Sequence, residues 1–143
     1  MSISRILAHK GEEVYTTTPE QIMREVAGEL ARRGIGALVV LDRWGDVVGV
    51  ISESDVVAAV ADRGADAMSD SVASHMARNF RFLTEEDSVA DAMETMTAER
   101  RRHLPVLREG RLAGLVSIGD VVKYKIETIE AERHALHEYI VRA

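Results

Sequence analysis

One short pattern occurs twice in this chain of 143 residues and limits the folds that the chain can adopt. Residues 49–57 read Gly-Val-Ile-Ser-Glu-Ser-Asp-Val-Val, and residues 114–122 read Gly-Leu-Val-Ser-Ile-Gly-Asp-Val-Val. In each copy an apolar run, which predicts a strand, passes through Ser-x-x-Asp into a helical pattern. Each copy is therefore predicted to place one carboxylate, that of Asp55 or Asp120, at the start of a helix beside a sheet.

The sequence upstream of each copy repeats as well. Thr18 and Thr84 are 66 positions apart, whereas Asp55 and Asp120 are 65 apart because the second hairpin is one turn residue shorter. Each copy contains a short strand, an amphipathic helix, two apolar runs separated by a turn, and a second helical pattern. The chain is therefore predicted to contain two copies of one β-α-β-β-α unit.

Turn and capping residues predict where the elements begin. Short strands are expected at 14–17 and 80–83, and Thr18 is expected to cap a helix whose first residue is Pro19. Residues 84–87, Thr-Glu-Glu-Asp, are expected to form the capping box of the corresponding helix in the second copy. The predicted organisation is a lead-in helical segment (1–13), repeat 1 (14–63), a linker with a short helix (64–78), repeat 2 (79–125) and a C-terminal helical extension (126–143).

Composition excludes several classes of function. The absence of cysteine removes disulfides, thiolate metal sites and cysteine nucleophiles. A net charge of −6 argues against a nucleic-acid surface, which needs clustered Lys and Arg. No apolar run approaches the roughly 20 residues of a membrane span, and the N-terminus does not resemble a signal peptide, so the expected location is the cytoplasm.

The two units are expected to form one structure, because each alone is too small to bury both faces of three strands. Two similar units would pack face to face around a pseudo-twofold axis, which places the two Ser-x-x-Asp turns beside a shared cleft. The predicted fold class is α/β (α+β) with an extended C-terminal helix.

These features resemble the cystathionine-β-synthase (CBS) domain pair, also called the Bateman module. The resemblance rests on two signatures in register, on the Leu104-Pro105-Val106 strand, and on the segments Lys10-Gly11, 35–40 and 117–123. It covers nearly the whole chain, from about Lys10 to Lys125, and the chain is similar in this respect to small stand-alone bacterial CBS-pair proteins.

The resemblance implies a regulatory module that binds adenine nucleotides or related adenosyl ligands (AMP, ADP, ATP, NAD or S-adenosylmethionine) and requires no cofactor. In such modules the signature Asp accepts hydrogen bonds from both ribose hydroxyls and the Ser lies near the phosphate. No catalytic and no metal-binding residue is expected. The nucleotide-binding residues implied by the resemblance are Lys10, Thr16, Gly36, Ala37, Ser52, Ser54, Asp55, Arg102, His103, Leu104, Pro105, Ser117 and Asp120.

The two predicted sites are not expected to be equivalent. Ser54 stands where related sequences commonly carry a basic residue, and Gly36-Ala37 in the first unit corresponds to Arg102-His103 in the second. We therefore expect the cleft near Arg102, His103 and Asp120 to hold phosphates better.

The same residues also fit roles that need no ligand. Ser-x-x-Asp before a helix is also a capping box, which accounts for both residues by itself. The run Arg100-Arg101-Arg102 ends a helix, where cations are favourable even when they are only solvated. The competing function is a ligand-free CBS scaffold or protein-interaction module. An enzyme is the weakest alternative, because no nucleophile-base pair, acid-base pair or metal cluster is evident.

The C-terminal segment continues the last helix with an apolar seam. Its apolar residues alternate at spacings of four and three, interrupted at Arg133. A seam of this length needs a partner, so we expect a homodimer, with an unidentified regulated protein acting in trans. The seam residues are Val122, Ile126, Ile129, Leu136 and Ile140.

Overall fold

The computed structural model describes residues 2–11 and 13–142. In this part of the chain the helices are α1 (Ile3–Lys10), α2 (Met23–Arg33), α3 (Glu53–Arg63), α4 (Val89–Glu99) and α5 (Ile118–Arg142). The strands are β1 (Thr16–Thr17), β2 (Ala37–Leu41), β3 (Val47–Ser52), β4 (Leu83–Thr84), β5 (His103–Arg108) and β6 (Arg111–Ser117). Two 3₁₀ segments, Gly64–Ser69 and Val72–Ser74, lie in the linker.

The strands form two sheets of identical topology, β1-β2-β3 and β4-β5-β6. In each sheet the first strand is parallel to the second, and the second pairs antiparallel with the third. The hairpin register shifts after Val40 in the first sheet and after Val106 in the second, at positions 66 apart. The two β-α-β-β-α units predicted from the sequence are confirmed, as is the mixed α/β class.

Each unit has its own apolar core, built from the predicted helix spacing. Met23, Val26 and Leu30 of α2 are buried against β2 and β3, and α4 buries its corresponding face against β5 and β6. Full burial of one such side chain contributes about 1.5–3 kcal/mol, so the repeated spacing holds each helix on its sheet.

The N-terminal helix α1 belongs to the core of the second unit. Its apolar residues Ile3, Ile6 and Leu7 are buried among residues of β4, α4 and β5. The linker does the same for the first unit, where Val72 and Met76 are buried in the core. The predicted domain boundaries stay a prediction.

Hydrogen bonds show that α1 and the linker are equivalent. The Ile3 amide donates to the Asp87 carbonyl (2.9 Å), and the Val72 amide donates to the Gln21 carbonyl (2.7 Å). Asp87 and Gln21 are 66 positions apart, so the two contacts are related by the same pseudo-twofold axis as the units.

The predicted start of α2 at Pro19 is wrong. The helix begins at Met23, and residues 19–21 form a turn in which the Gln21 amide donates to the Thr18 carbonyl. The reason is that the linker donates hydrogen bonds to this turn. The Pro19 carbonyl accepts from the Ala73 amide (3.0 Å), and the Gln21 carbonyl accepts from the Val72 amide. These carbonyls are therefore engaged by the linker at the point where a helix would need them.

The predicted capping box at Thr84–Asp87 is wrong for the same reason. Helix α4 begins at Val89 and is capped by Ser88, whose Oγ accepts from the Asp91 amide (2.9 Å). The Thr84 amide does donate to the Asp87 carboxylate, as one half of a capping box would, but this turn pairs with α1 and is not the start of the helix. Strands β1 and β4 are correspondingly shorter than predicted, and β4 lies further along the chain.

The last helix, α5, runs without interruption for 25 residues, and all of its residues after Thr128 are exposed. Its one fully buried residue is Val121, near its start. None of the helices in residues 2–11 and 13–142 is both long enough and apolar enough to span a bilayer.

Candidate functional site

The first signature forms a capping box that fixes the Asp55 carboxylate. Strand β3 ends at Ser52, whose Oγ accepts a hydrogen bond from the Asp55 amide (3.4 Å). In return, Asp55 Oδ2 accepts from the Ser52 amide (2.8 Å). Within the described residues Asp55 Oδ1 has no hydrogen-bond partner, so one carboxylate oxygen stays available.

The second signature repeats this geometry. The Asp120 amide donates to Ser117 Oγ (3.1 Å), and Asp120 Oδ2 accepts from the Ser117 amide (2.8 Å). The capping interpretation of both motifs is therefore confirmed. A capping box orients a carboxylate without using both of its oxygens, so it is compatible with a ligand at the same residue.

Two clefts lie between the units. Each is lined by the signature Asp of one unit and by loop and strand residues of the other. The Asp55 cleft, about 650 Å³, is closed by the end of α4 and the start of β5. The Asp120 cleft, about 330 Å³, is closed by the segment before β1 and the start of β2. Both volumes are in the range of small-molecule sites.

Three consecutive arginines line the Asp55 cleft. Helix α4 ends at Glu99, and Arg100 adopts a left-handed conformation (φ 54°), as Gly34 does after α2 (φ 63°). The Arg101 guanidinium lies over the Phe80 ring, 5.8 Å from its centroid, and its Nε is buried with no hydrogen-bond partner among residues 2–11 and 13–142. Arg102 is exposed at the cleft. This cleft therefore offers guanidinium donors that the protein does not use.

A lysine occupies the polar end of the Asp120 cleft. Lys10 Nζ donates to Asp120 Oδ2 (2.7 Å) and to the Leu115 carbonyl (2.7 Å). Partial burial works to raise the pKa of Asp120, but the hydrogen bonds from Lys10 and Ser117 outweigh it and hold the pKa below its ordinary value. The Asp120 carboxylate is therefore ionised and neutralised by a neighbouring cation.

His103 lies where the two clefts meet. Its ring covers Gly36 so closely that a Cβ at Gly36 would lie 3.0 Å from both Cε1 and Nε2 of the ring. Burial lowers the pKa of His103 and outweighs the opposing effect of Asp120, so the imidazole is neutral at pH 7. A side chain at residue 36 would therefore require the His103 ring to shift by a few tenths of an ångström, whereas the φ of Gly36 does not itself require glycine.

The structure brings most of the predicted residues into one of the two clefts. Outside both linings are Thr16, which pairs with β2, and Leu104 and Pro105, which are buried in β5. The Asp55 cleft contains Gly36, Ser52, Ser54, Asp55, Arg102 and His103. The Asp120 cleft contains Lys10, Gly36, Ala37, His103, Ser117 and Asp120.

The predicted grouping of Arg102 with Asp120 is wrong. Arg102 lies in the Asp55 cleft, because each cleft takes its Asp from one unit and its β-strand residues from the other. The ligand-binding role of each residue stays a prediction.

Sequence reasoning missed several residues that line the clefts. Tyr15 and Glu13 lie in the Asp120 cleft, and Phe80 and Met96 lie in the Asp55 cleft beside Arg101. The 66-residue offset contained part of the signal, since it relates Val14 to Phe80 and Ile35 to Arg101, which line opposite clefts. The offset identifies cleft residues only when it is known that each cleft combines residues of both units.

Comparison with known proteins identifies relatives over most of the chain. The family model for the CBS domain matches residues 7–62 and 71–127. A mitochondrial CBS domain-containing protein of Arabidopsis thaliana is 30% identical over 148 aligned positions, which cover 97% of this chain and 71% of that protein. The chain spans about two thirds of the length of the curated relatives that it matches first.

Solved structures have the same fold. A CBS-domain-containing protein from Agrobacterium tumefaciens is 42% identical with a TM-score of 0.84, and the match covers 87% of this chain and 92% of that one. A CBS domain protein from Pyrobaculum aerophilum, solved in complex with AMP, is 28% identical with a TM-score of 0.74, covering 84% and 89% respectively.

Proposed function

The chain belongs to the CBS domain family as a tandem pair, and on that premise we propose that it is a regulatory module that binds adenine nucleotides (AMP, ADP, ATP or NAD) in its inter-unit clefts. The observation that carries the proposal is the pair of oriented carboxylates, each with Oδ1 unused by the described residues. An ionised carboxylate accepts two hydrogen bonds from a vicinal diol such as that of ribose. The AMP complex of the Pyrobaculum aerophilum relative supports this ligand class.

The regulatory part of the proposal follows from the cross-unit clefts. A ligand in either cleft contacts both units, so binding favours one relative orientation of the units over others. A protein that recognises this orientation would be regulated in trans, with the coupling free energy shared between the two binding events. We propose no catalytic step for the chain, and we propose the cytoplasm as its location.

Calorimetric titration with AMP, ADP, ATP and NAD tests the proposal. Asp55→Asn and Asp120→Asn keep the shape of the side chain but remove the charge that a diol requires, so each is expected to weaken the ligands of its own cleft at least tenfold. Asp91→Asn is the matched control, because Asp91 follows the N-cap Ser88 in the same way but is exposed outside both clefts. No binding of any nucleotide would favour the ligand-free scaffold instead.

We also propose that the chain is a homodimer that uses the end of α5. Ile129, Leu136 and Ile140 lie along the extension and are 59%, 60% and 64% exposed. The first half of the extension carries Glu127, Glu130 and Glu132 with one arginine, Arg133, whereas the second half carries Arg142 with one glutamate, Glu138. An antiparallel copy of the same helix would pair the two apolar seams and bring Arg142 of each chain towards the glutamates at the start of the other extension.

Light scattering after size-exclusion chromatography tests the dimer. The expected mass is twice 15.8 kDa, and Leu136→Glu is expected to reduce it to 15.8 kDa by placing a charge in the seam. Thr128→Glu adds the same charge at a position outside the seam and is expected to leave the dimer intact. A wild-type monomer at micromolar concentration would exclude this assembly.

A further inference from the structure

The pseudo-twofold axis allows the two clefts to be compared position by position. Residues 34–36 of the first unit, Gly-Ile-Gly, line or adjoin the Asp120 cleft, and the equivalent residues of the second unit are Arg100, Arg101 and Arg102 in the Asp55 cleft. The backbone conformation is shared, because Gly34 and Arg100 both adopt left-handed dihedral angles. The two clefts therefore differ chiefly in charge at the same places.

The Asp55 cleft has an excess of positive charge with unused donors. Three arginines line it together with Glu53 and Asp55, and Arg101 Nε is buried with no partner in the part of the chain that the structure describes. A guanidinium presents its donors in a planar fork that fits phosphate oxygens and keeps its charge at every physiological pH. An orphaned buried donor destabilises the free protein and is satisfied when an anion binds.

The Asp120 cleft has the opposite character. Among the described residues that line it, Lys10 is the only cation, and Asp120 and the Leu115 carbonyl already engage its ammonium group. Glu13 adds a second carboxylate to the lining, and Ile35, Gly36 and Ala37 contribute no donor side chain. A phosphate group in this cleft would lie near two carboxylates and could receive only the third N–H of Lys10, whereas a ribose diol needs only Asp120 Oδ1.

We propose that the two clefts bind different ligands according to phosphate content. The Asp55 cleft binds adenine nucleotides with two or three phosphates, and Arg101 and Arg102 determine that preference. The Asp120 cleft binds an adenine nucleoside without phosphate, because its one lysine is already paired with Asp120 and its lining offers a polyphosphate no further cation among the described residues. This assignment rests on the proposed nucleotide-binding function and adds the ligand class of each cleft.

Calorimetric titration of the full chain with ATP and with adenosine tests the assignment. ATP is expected to bind once per chain, and adenosine is expected to bind once more to protein already saturated with ATP. Asp55→Asn is expected to weaken ATP at least tenfold with adenosine unchanged, and Asp120→Asn to do the reverse. Raising the salt concentration is expected to weaken ATP and to leave adenosine unaffected, because the guanidinium-phosphate attraction is screened.

Arginine variants test the residues named. Arg101→Ile introduces the residue found at the equivalent position of the first unit, and Arg102→Gln removes a charge from an exposed side chain with little risk to folding. Each is expected to weaken ATP about tenfold or more while the affinity for adenosine is unchanged. Arg24→Gln is the matched control, since Arg24 is exposed on α2 outside both clefts.

Several outcomes would overturn the assignment while leaving the proposed function intact. These are ATP binding that depends on Asp120 and not on Asp55, displacement of adenosine by ATP, and an ATP affinity in Arg101→Ile and Arg102→Gln equal to that of Arg24→Gln. If neither AMP, ADP, ATP, NAD nor adenosine binds, the proposed function itself fails and the assignment fails with it.

Discussion

The two units are alike where they are packed and different where they face the clefts. The Ser4 amide donates to the Glu85 carbonyl (3.1 Å), as the Ala73 amide does to the Pro19 carbonyl (3.0 Å), so α1 and the linker cover their units through the same backbone contacts. In the clefts, by contrast, an isoleucine in one unit corresponds to Arg101 in the other. Residues that pack in the core of each unit must keep their shape, whereas residues that line a cleft can differ in charge between the two units.

The largest effect is expected from opening the core that α1 completes. Leu7→Ala is expected to lower the free energy of unfolding by about 3 kcal/mol, because Leu7 is buried and its removal leaves a cavity beside β6. Urea denaturation measures the change, with Arg5→Ala as the control on an exposed face of the same helix. A loss below about 0.5 kcal/mol, the range of surface substitutions, would show that α1 is not part of the second unit's core.

Two equivalent glycines, Gly49 and Gly114, allow the packing of the linker on the first unit to be compared with the packing of α1 on the second. A Cβ at Gly114 would lie 2.6 Å from Leu7 Cδ2, the end of a side chain, whereas a Cβ at Gly49 would meet both Met76 Sδ (2.6 Å) and the Ala77 carbonyl oxygen (2.9 Å). Backbone cannot move aside as a side chain can. Gly49→Ala is therefore expected to cost about 2–3 kcal/mol and Gly114→Ala about 1 kcal/mol in unfolding free energy.

Thermal and urea denaturation of the two glycine variants, measured side by side, give the order of their stabilities. A Gly114→Ala protein less stable than Gly49→Ala would contradict the argument, because it would mean that Leu7 is held more rigidly than the backbone at Ala77.

Local sequence patterns predicted much of this molecule but not the starts of α2 and α4. The spacing of Met23, Val26 and Leu30 predicted the buried face of α2, and Ser52 and Ser117 predicted the starts of α3 and α5. The start of α2 was missed because Pro19 and its neighbours bond to the linker more than 50 residues away. A contact at that separation leaves no trace in a local capping pattern.

The site, like the fold, was predictable from the sequence only in its local parts. The two carboxylates followed from the repeated signature, because a capping box is a local structure. The partners of each carboxylate were not predictable, since Arg102 contributes to the cleft of Asp55 through the packing of one unit on the other. Lys10 was a candidate, but its contact with Asp120 spans 110 positions and depends on where α1 docks.

The ion pair between Lys10 and Asp120 is expected to have a smaller effect on stability than the core variants. Lys10→Met is expected to lower the free energy of unfolding by about 1 kcal/mol at pH 7, since both side chains are only partly buried. The pKa of Asp120 is lowered in the folded state, so its contribution is present above the ordinary carboxyl pKa of 3.8 and is lost as pH falls below it.

Urea titrations of Lys10→Met and wild type from pH 7 to pH 3 measure this dependence. The stability difference between the two proteins is expected to shrink as Asp120 becomes protonated. Lys123→Met, which removes a lysine exposed on α5, is the control for the change in net charge. A difference that stays constant down to pH 3 would exclude the ion pair as its source.

The smallest effect is expected at His103, which together with Gly36 lines both clefts. Burial lowers the pKa of His103 in the folded state, so unfolding takes up a proton at mildly acidic pH and stability falls as pH drops below about 6.5. Glu53, Asp120, Lys10 and Arg102 act on the same ring, and the two carboxylates oppose the loss, which is therefore expected to be below about 1 kcal/mol between pH 7 and pH 5.5. His103→Gln keeps a polar side chain beside Gly36 and is expected to remove this part of the pH dependence, whereas His137→Gln on the exposed extension is expected to retain it. Equal slopes of unfolding free energy against pH in wild type and His103→Gln would contradict this account of His103.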